Sequence, residues 1–590
     1  MFRRAIFPVP SKGSGPLRSW PFLFALCIVL CSTFYAGLTF GNLRSTEEIP
    51  GLVLLIKSLT FLASWGLGHC IDWLIREIRG GNVFAARWLK FGAPYFAFNM
   101  LLLLLTWPGT YRLDEFSIIY MARHWELDYW QHYLTSLFYM VSWNIIPLIN
   151  SPIVFETLLA SAVVGYLVAF YYGRLPNKRL SFLFFLPFMM PPVLDNNLYP
   201  MRSTPWTYLI AGVIAWLVTL GPHKALNSPK RVILLILTLS VVGSWRSEAI
   251  ILLPVLMTAA LAYTWKDLNK VSRFAIAIGP LVGMQLLNIP QKLDAQMSNN
   301  RYEVTSFVGP VAPLILADEK NPSKAAVMTD LGRLFNFKPF HRVLGGEAFW
   351  EGGVRKEYTN GDFLVARNAF LREAMVSPGL VFQERWDNFS DSLGFGGYCH
   401  VRNSAMIFHP LFDKGMFPFI VKARSTWPLF QPFNLELRKD VVSYLQMRPA
   451  GDATTPMFGS VLLYNGAPAF VLTLLALIRG AKRRQVLVVG ASIAMLLCAC
   501  GVFLTAPQSF FFYYFYLYVG GPVLLLLSEF EAKLKRENVR ANFAMLPAEA
   551  FEILSSSIEL TSSARRNRES AGVKLESDER DLKLVRGPKG

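Results

Sequence analysis

The sequence predicts an all-α polytopic membrane protein of about twelve transmembrane helices. One large external domain, mostly helical or irregular, is expected between spans nine and ten. Three observations predict this. Of 590 residues, 53% are hydrophobic and only 17% are charged, whereas a soluble domain carries about 25% charged residues. The apolar residues gather into runs close to the roughly twenty residues that cross a bilayer. Basic residues gather in alternate short loops between those runs, as positive-inside placement requires.

The first run, 20–42, follows Arg3, Arg4, Lys12 and Arg18. A basic flank and apolar core also describe a signal peptide, but a run of about twenty residues is a full span. Phe40-Gly41-Asn42 is not a small-x-small cleavage site, so an uncleaved first helix is expected. Further spans are expected at 51–75, 91–107, 152–173, 180–196, 204–222, 231–245, 249–265 and 272–290, making 1–290 the block of spans one to nine. Spans ten to twelve follow at 458–478, 485–505 and 508–528, within 458–528.

The loops set the orientation. Arg76, Arg79, Arg87 and Lys90 follow span two, Arg174, Lys178 and Arg179 span four, and Lys224, Lys230 and Arg231 span six. Lys266, Lys270 and Arg273 follow span eight, and Arg479, Lys482, Arg483 and Arg484 span ten. The alternate short loops hold only Arg44, Arg202 and Arg246. Both termini are therefore expected in the cytoplasm, with an acidic loop at 108–151 and a domain at 291–457 outside it. The apolar stretch Val308–Ala317 is too short to span and reads as a re-entrant or interfacial helix. The charged tail 529–590 reads as a cytoplasmic segment, either disordered or a loose surface helix. No internal repeat is visible, which weighs against an inverted-repeat transporter.

The net charge of +18 is a topology signal placed in short turns, so nucleic-acid binding is not expected. Of six cysteines only Cys399 lies in the large external region, which excludes a disulfide framework there.

Several residues could carry chemistry. The apolar run ending at Trp107-Pro108-Gly109 is followed by Asp114 and Glu115. Adjacent acids point to different sides of a helix, so one of the two faces any site. A partly desolvated carboxylate at a membrane boundary has a raised pKa and can serve as a base. The same residues could simply favour a helix N-terminus. Together they could also bind Mg²⁺ or Mn²⁺, although no ligand set is evident. Glu126–Tyr133, which contains Gln131 and His132, interleaves polar and aromatic groups as an interfacial helix does, with its acids solvated. Arg202, Arg246 and Glu248 lie at helix ends, where charges are paired or functional. Arg246 and Glu248 could neutralise each other, or an arginine could grip a phosphate. The aromatic run Phe510–Tyr518 suits interfacial packing, an isoprenoid groove or sugar stacking, with Tyr514 as a candidate contact.

On these residues the chain resembles the GT-C superfamily of membrane glycosyltransferases, closest to poorly characterised bacterial members. Pro108-Gly109 with Asp114-Glu115 looks like that group's first external loop, and Trp130–Thr135 is similar to its later His-containing segment. Arg246-Ser247-Glu248 with Pro254 looks like its Arg-x-Glu element, and Phe510–Tyr518 like its closing helix. The resemblance covers about residues 90–265 and 500–528. It implies a polyprenyl-phosphate-linked sugar donor and a glycan, lipid or protein acceptor on the non-cytoplasmic face. It also implies inversion with Asp114 as general base, and a bacterial inner membrane, while the endoplasmic reticulum would share the same topology logic. Two extra spans precede the acidic loop and the external domain is not C-terminal, which leaves the acceptor open. A lipid-linked saccharide transporter would need ionisable groups or broken helices near mid-bilayer, with Lys57 the main candidate for an internal charge. An envelope polymerase or ligase would lean on Arg301, Arg333, His341, Arg342, His400 and Arg402.

Overall fold

The computed structural model describes residues 20–36, 40, 50–111, 113–221, 225–226, 228–265, 268–297, 304–318, 321–343, 345–395, 429–447 and 458–544. The chain divides into two compact units, 1–530 and 531–590. Among the described residues every long element is a helix, and the one β-bridge is the isolated pair Phe335 and Val354. This follows from the solvent: in lipid a backbone must satisfy its own polar groups, and a helix does so within one segment.

Eight of the described helices are long and apolar enough to cross a membrane, so the chain is a multi-pass membrane protein. They are Gly51–Arg79, Val83–Leu105, Ser151–Tyr172, Ser203–Leu220, Lys270–Asp294, Val461–Lys482, Val486–Thr505 and Phe511–Glu537. Shorter apolar helices run over Trp20–Phe34, Pro229–Trp245 and Ala249–Thr264.

The differences from the apolar-run boundaries have physical causes. The third span begins at Val83, not 91, because Asn82 caps it, accepting from the Phe84 and Ala85 amides at 3.0 and 3.3 Å. Arg87 sits within it with its guanidinium 5.3 Å from the Tyr172 ring, a long cation lying along an apolar surface. The expected span 180–196 is not one helix. It breaks into Lys178–Phe184, Phe185–Phe188 and Pro191–Asn197, since Pro187, Pro191 and Pro192 each remove a backbone donor. The last helix runs from Phe515 to Ala544, past the expected boundary at 529. Its Glu, Lys, Arg and Ala residues end an apolar run but favour a helix.

Residues 304–370 hold a core of their own. The expected re-entrant or interfacial stretch Val308–Ala317 forms most of the helix Thr305–Asp318. Its Val308, Val311, Leu314 and Ile315 are fully buried in a core shared with Leu331, Phe340 and Phe370. A short apolar run can be membrane-seeking or supply a domain's core, and one face of this helix is core.

Helix pairs approach closely where small residues meet. A Cβ on Gly165 would lie 2.7 Å from the Gly92 Cα, so the Val83–Leu105 and Ser151–Tyr172 helices touch through backbone. Trp88 Nε1 donates to Ala162 O at 2.8 Å across the same contact.

Candidate functional site

The site is built where several helix ends converge. The Val83–Leu105 helix stops at Trp107-Pro108-Gly109, and Gly109 adopts φ +131°. A side chain there would run into Ile153 and lie 2.9 Å from Leu198 O, so only glycine fits. Thr110 pins the turn, its amide donating to Leu198 O at 2.8 Å and its hydroxyl to Asp195 O at 3.0 Å. The Pro191–Asn197 segment is itself fixed by buried amides. Asn197 Nδ2 donates to Tyr95 Oη at 2.8 Å and Asn99 Oδ1 at 3.0 Å, while Tyr208 Oη donates to Asn197 Oδ1 at 2.5 Å.

Helix Leu113–Arg123 starts just after this turn, with Asp114 and Glu115 in its first turn. Glu115 is fully buried. The Asp114 side chain lies outside the described ones. Glu115 shares its field with Glu156, a carboxylate inside the Ser151–Tyr172 span that is 1% exposed. Neither Glu156 oxygen has a hydrogen-bond partner. Tyr111 and Tyr139 border the pair, and their hydroxyls are held well above the ordinary range by burial first and then by these carboxylates. Glu156 escaped the sequence reading because it lies in an apolar run. A lone acid within a span was the signal that could have found it.

A second cluster gathers most of the remaining candidates. Arg246 forks onto Glu248, with Nη2 to Oε1 at 2.9 Å and Nε to Oε2 at 3.2 Å. Its guanidinium lies 5.3 Å from the Trp206 ring and 5.9 Å from the Tyr513 ring. Burial would raise the Glu248 carboxyl, but Arg246 outweighs it and brings Glu248 down to about 2. Arg202, half-buried just before the Ser203–Leu220 helix, donates to Trp245 O in a long 3.4 Å contact. Its charge bears on Glu248, Asp128 and His132 alike.

His132 caps the Tyr133–Ile145 helix, its Nδ1 accepting from the Leu134 amide at 3.3 Å. Its Nε2 lies 2.9 Å from Asn288 Oδ1. With Nδ1 accepting, the network assigns the proton to Nε2 and a neutral ring. Burial lowers this imidazole to about 4; Asn288 opposes that shift and Arg202 adds to it. Gln131 is buried beside it, its backbone carbonyl accepting from Thr135 Oγ1 at 2.9 Å. Thr135 in turn accepts from Trp245 Nε1 at 3.0 Å.

One expectation needs correction. Asp128, expected to be solvated, is 5% exposed, with Oδ1 accepting from the Trp130 amide at 2.8 Å. Burial raises its carboxyl; the Trp130 amide and Arg202 oppose the shift. Its burial is tertiary, since its own segment reads as polar. Tyr514, a candidate substrate contact, packs edge-on against Phe389 at 5.4 Å, while its neighbour Tyr513 lies 5.9 Å from the Arg246 guanidinium.

The helix Leu435–Gln446 closes over the turn. Fully buried Arg438 donates from Nε to Thr106 O at 3.2 Å and from Nη2 to Gly109 O at 2.9 Å. Gln446 Nε2 reaches Asp195 Oδ1 at 3.2 Å. Arg438 had no sequence signal, because an arginine in Leu435–Gln446 looks like one on any surface helix. Arg333, His341 and Arg342 are exposed, and Arg301, Cys399, His400 and Arg402 lie outside the described residues. Lys57 is held by neutral partners, Ser32 Oγ at 2.5 Å and Asn144 Oδ1 at 2.9 Å. Among the described residues no three His, Cys, Asp or Glu side chains converge to hold a metal ion.

The neutral His132 ring makes a testable contribution. Its folded pKa of about 4 lies below the ordinary 6.5, so the unfolded chain takes up its proton first as pH falls. The stabilisation is complete above pH 6.5 and lost between 6.5 and 4, amounting to roughly 3 kcal/mol. Thermal unfolding in detergent at pH 7 and pH 4.5 should therefore show a smaller acid-induced fall for His132→Gln than for the wild type. An equal fall in both would show that His132 does not stay neutral.

No protein-family model, curated protein or solved structure matches the chain.

Proposed function

We propose that the chain is a glycosyltransferase moving a sugar from a polyprenyl-phosphate donor to a glycan, lipid or protein acceptor at the non-cytoplasmic face of a bacterial inner membrane. In this reading the chain crosses twelve times, the fifth crossing is the broken 178–197 segment buried among neighbours, and both termini are cytoplasmic. The observation that carries the reading is Arg202, whose charge reaches Asp128, His132 and Glu248 at one end of the helices. Arg246 is committed to Glu248 and covered by Trp206 and Tyr513. The half-buried Arg202 is then the guanidinium assigned to the departing lipid phosphate, whose charge grows in the transition state.

The acceptor hydroxyl oxygen would attack the anomeric carbon as the carbon–oxygen bond to phosphate breaks. Its proton would pass to Asp114 and the electron pair to the phosphate, inverting the centre. General-base help of this kind contributes about 10²–10⁴-fold. An apolar cavity of about 340 Å³ supports a lipid-borne donor, with Leu186, Met190, Leu472 and Leu525 among its walls.

A lipid-linked saccharide transporter is the second reading, and Glu156 favours it: a carboxylate without hydrogen-bond partners inside a span is a common feature of ion-coupled carriers.

Purified protein in lipid vesicles, given radiolabelled polyprenyl-phosphate sugars, separates the two. Asp114→Asn is expected to lower transfer about 10²–10⁴-fold with an unchanged melting temperature. Full transfer by that variant would remove Asp114 as the base, and Asp128→Asn run alongside shows whether Asp128 holds the role. Folded wild-type protein that transfers from no donor would favour transport.

A further inference from the structure

Outside the site, the most unusual surface is the turn joining the Asn360–Val376 and Pro378–Leu393 helices. One face of this hairpin is accounted for: Phe363, Ala366, Ala369 and Phe370 enter the external segment's core. The other face is apolar and uncovered. Met375 is 76% exposed, Val376 70% and Phe382 59%, with Leu371, Leu380 and Trp386 also open. Residues 374–383 contain no charge at all. The two flanking acids are paired, Glu373 inward with Lys324 and Glu384 with Arg385.

A patch of this kind in water is unfavourable and marks an interface. Its position identifies the partner. Phe382 and Phe389 pack on Phe503 at ring separations of 6.0 and 5.6 Å. Arg385 Nη1 donates to Ala506 O at 2.6 Å. Phe503 lies in the last turn of the Val486–Thr505 span, a helix long enough for the hydrocarbon layer. Leu504 beside it is 63% exposed, as a lipid-facing side chain is. The open face of the hairpin therefore begins at the height where that span leaves the hydrocarbon.

The backbone of the turn also suits an apolar surrounding. Ser377 N donates to Glu373 O at 2.8 Å, Leu380 N to Ser377 O at 3.2 Å, and Pro378 has no N–H to satisfy. Ser377 Oγ donates to Glu373 Oε1 at 3.3 Å. Aromatic and aliphatic side chains above a charge-free tip match a segment resting in the headgroup–acyl boundary.

We propose that this hairpin inserts its tip into the lipid leaflet at the 505 end of the spans, with phospholipid acyl chains as its partner. It makes the external segment a second, monotopic attachment to the membrane, independent of the glycosyl-transfer reading.

The test uses the full chain in phospholipid vesicles, with p-benzoylphenylalanine placed in turn at Met375, Phe382, Leu504 and Lys356. All four positions are exposed, and gel filtration checks that each variant keeps the wild-type elution. After irradiation, mass spectrometry is expected to find phospholipid adducts at 375 and 382 in yields comparable to 504, and none at 356. Lipid adducts at 504 but not at 375 or 382 would overturn the proposal, placing the hairpin in water. Covalent dimers from 375 and 382 in place of lipid adducts would also overturn it, assigning the face to a second copy of the chain.

Discussion

Glu248→Ala is expected to cost about 3–5 kcal/mol of stability, because it leaves the Arg246 guanidinium buried without its counter-charge. Arg246 is 3% exposed and the Glu248 side chain 13%, and both of the guanidinium's bonds to Glu248 vanish together. Rings above it cannot replace a carboxylate, since cation–π contacts contribute about 0.5–2 kcal/mol. The double variant Arg246→Met with Glu248→Leu should recover most of the loss, as apolar pairs of similar volume often do. The pH dependence has a definite sign. The folded pKa of Glu248 is about 2 against an ordinary 4.5, so its contribution is full above pH 4.5 and lost as pH falls towards 2. Thermal unfolding of the single and double variants in detergent measures this. A single variant as stable as the wild type would mean that water or another anion already serves Arg246.

The second large effect concerns activity. Arg202→Gln is expected to lower sugar transfer by about 10²–10³-fold, the usual consequence of removing one charge-stabilising donor. Its folding cost should be smaller than that of Glu248→Ala, since Arg202 is half-buried and its Trp245 contact is long at 3.4 Å. Arg202→Lys keeps the charge but loses the planar fork, so an intermediate rate is expected. Initial rates with saturating donor, measured beside melting temperatures, distinguish the two roles. Unchanged rates with a lowered melting temperature would make Arg202 a structural residue and withdraw the phosphate assignment.

The spans were legible because an apolar run near bilayer length has few other uses, and helices such as Ser151–Tyr172, Ser203–Leu220 and Val486–Thr505 fall within two residues of their expected bounds. Runs lose that meaning where proline interrupts them, as at 187–192, or where a domain needs its own core, as at Thr305–Asp318. Arg202, Arg246 and Glu248 were visible as ionisable groups at helix ends. Asp128, Asn288 and Arg438 were not, because their burial depends on segments far away in the chain. Arg438 meets Gly109 across more than three hundred residues, and no local pattern records such a meeting.

The ring of Tyr513 over Arg246 imposes an order on biosynthesis. The chain is made from its N-terminus, so positions 202, 246 and 248 leave the ribosome well before position 513. At about 5–20 residues per second the interval is roughly 15–50 s. During that time Arg246 has Glu248 and Trp206 available but not the closing aromatic cover. A ribosome stalled between 250 and 510 therefore presents a half-roofed cation to the insertion machinery, and maturation of the site waits on the last transmembrane helix.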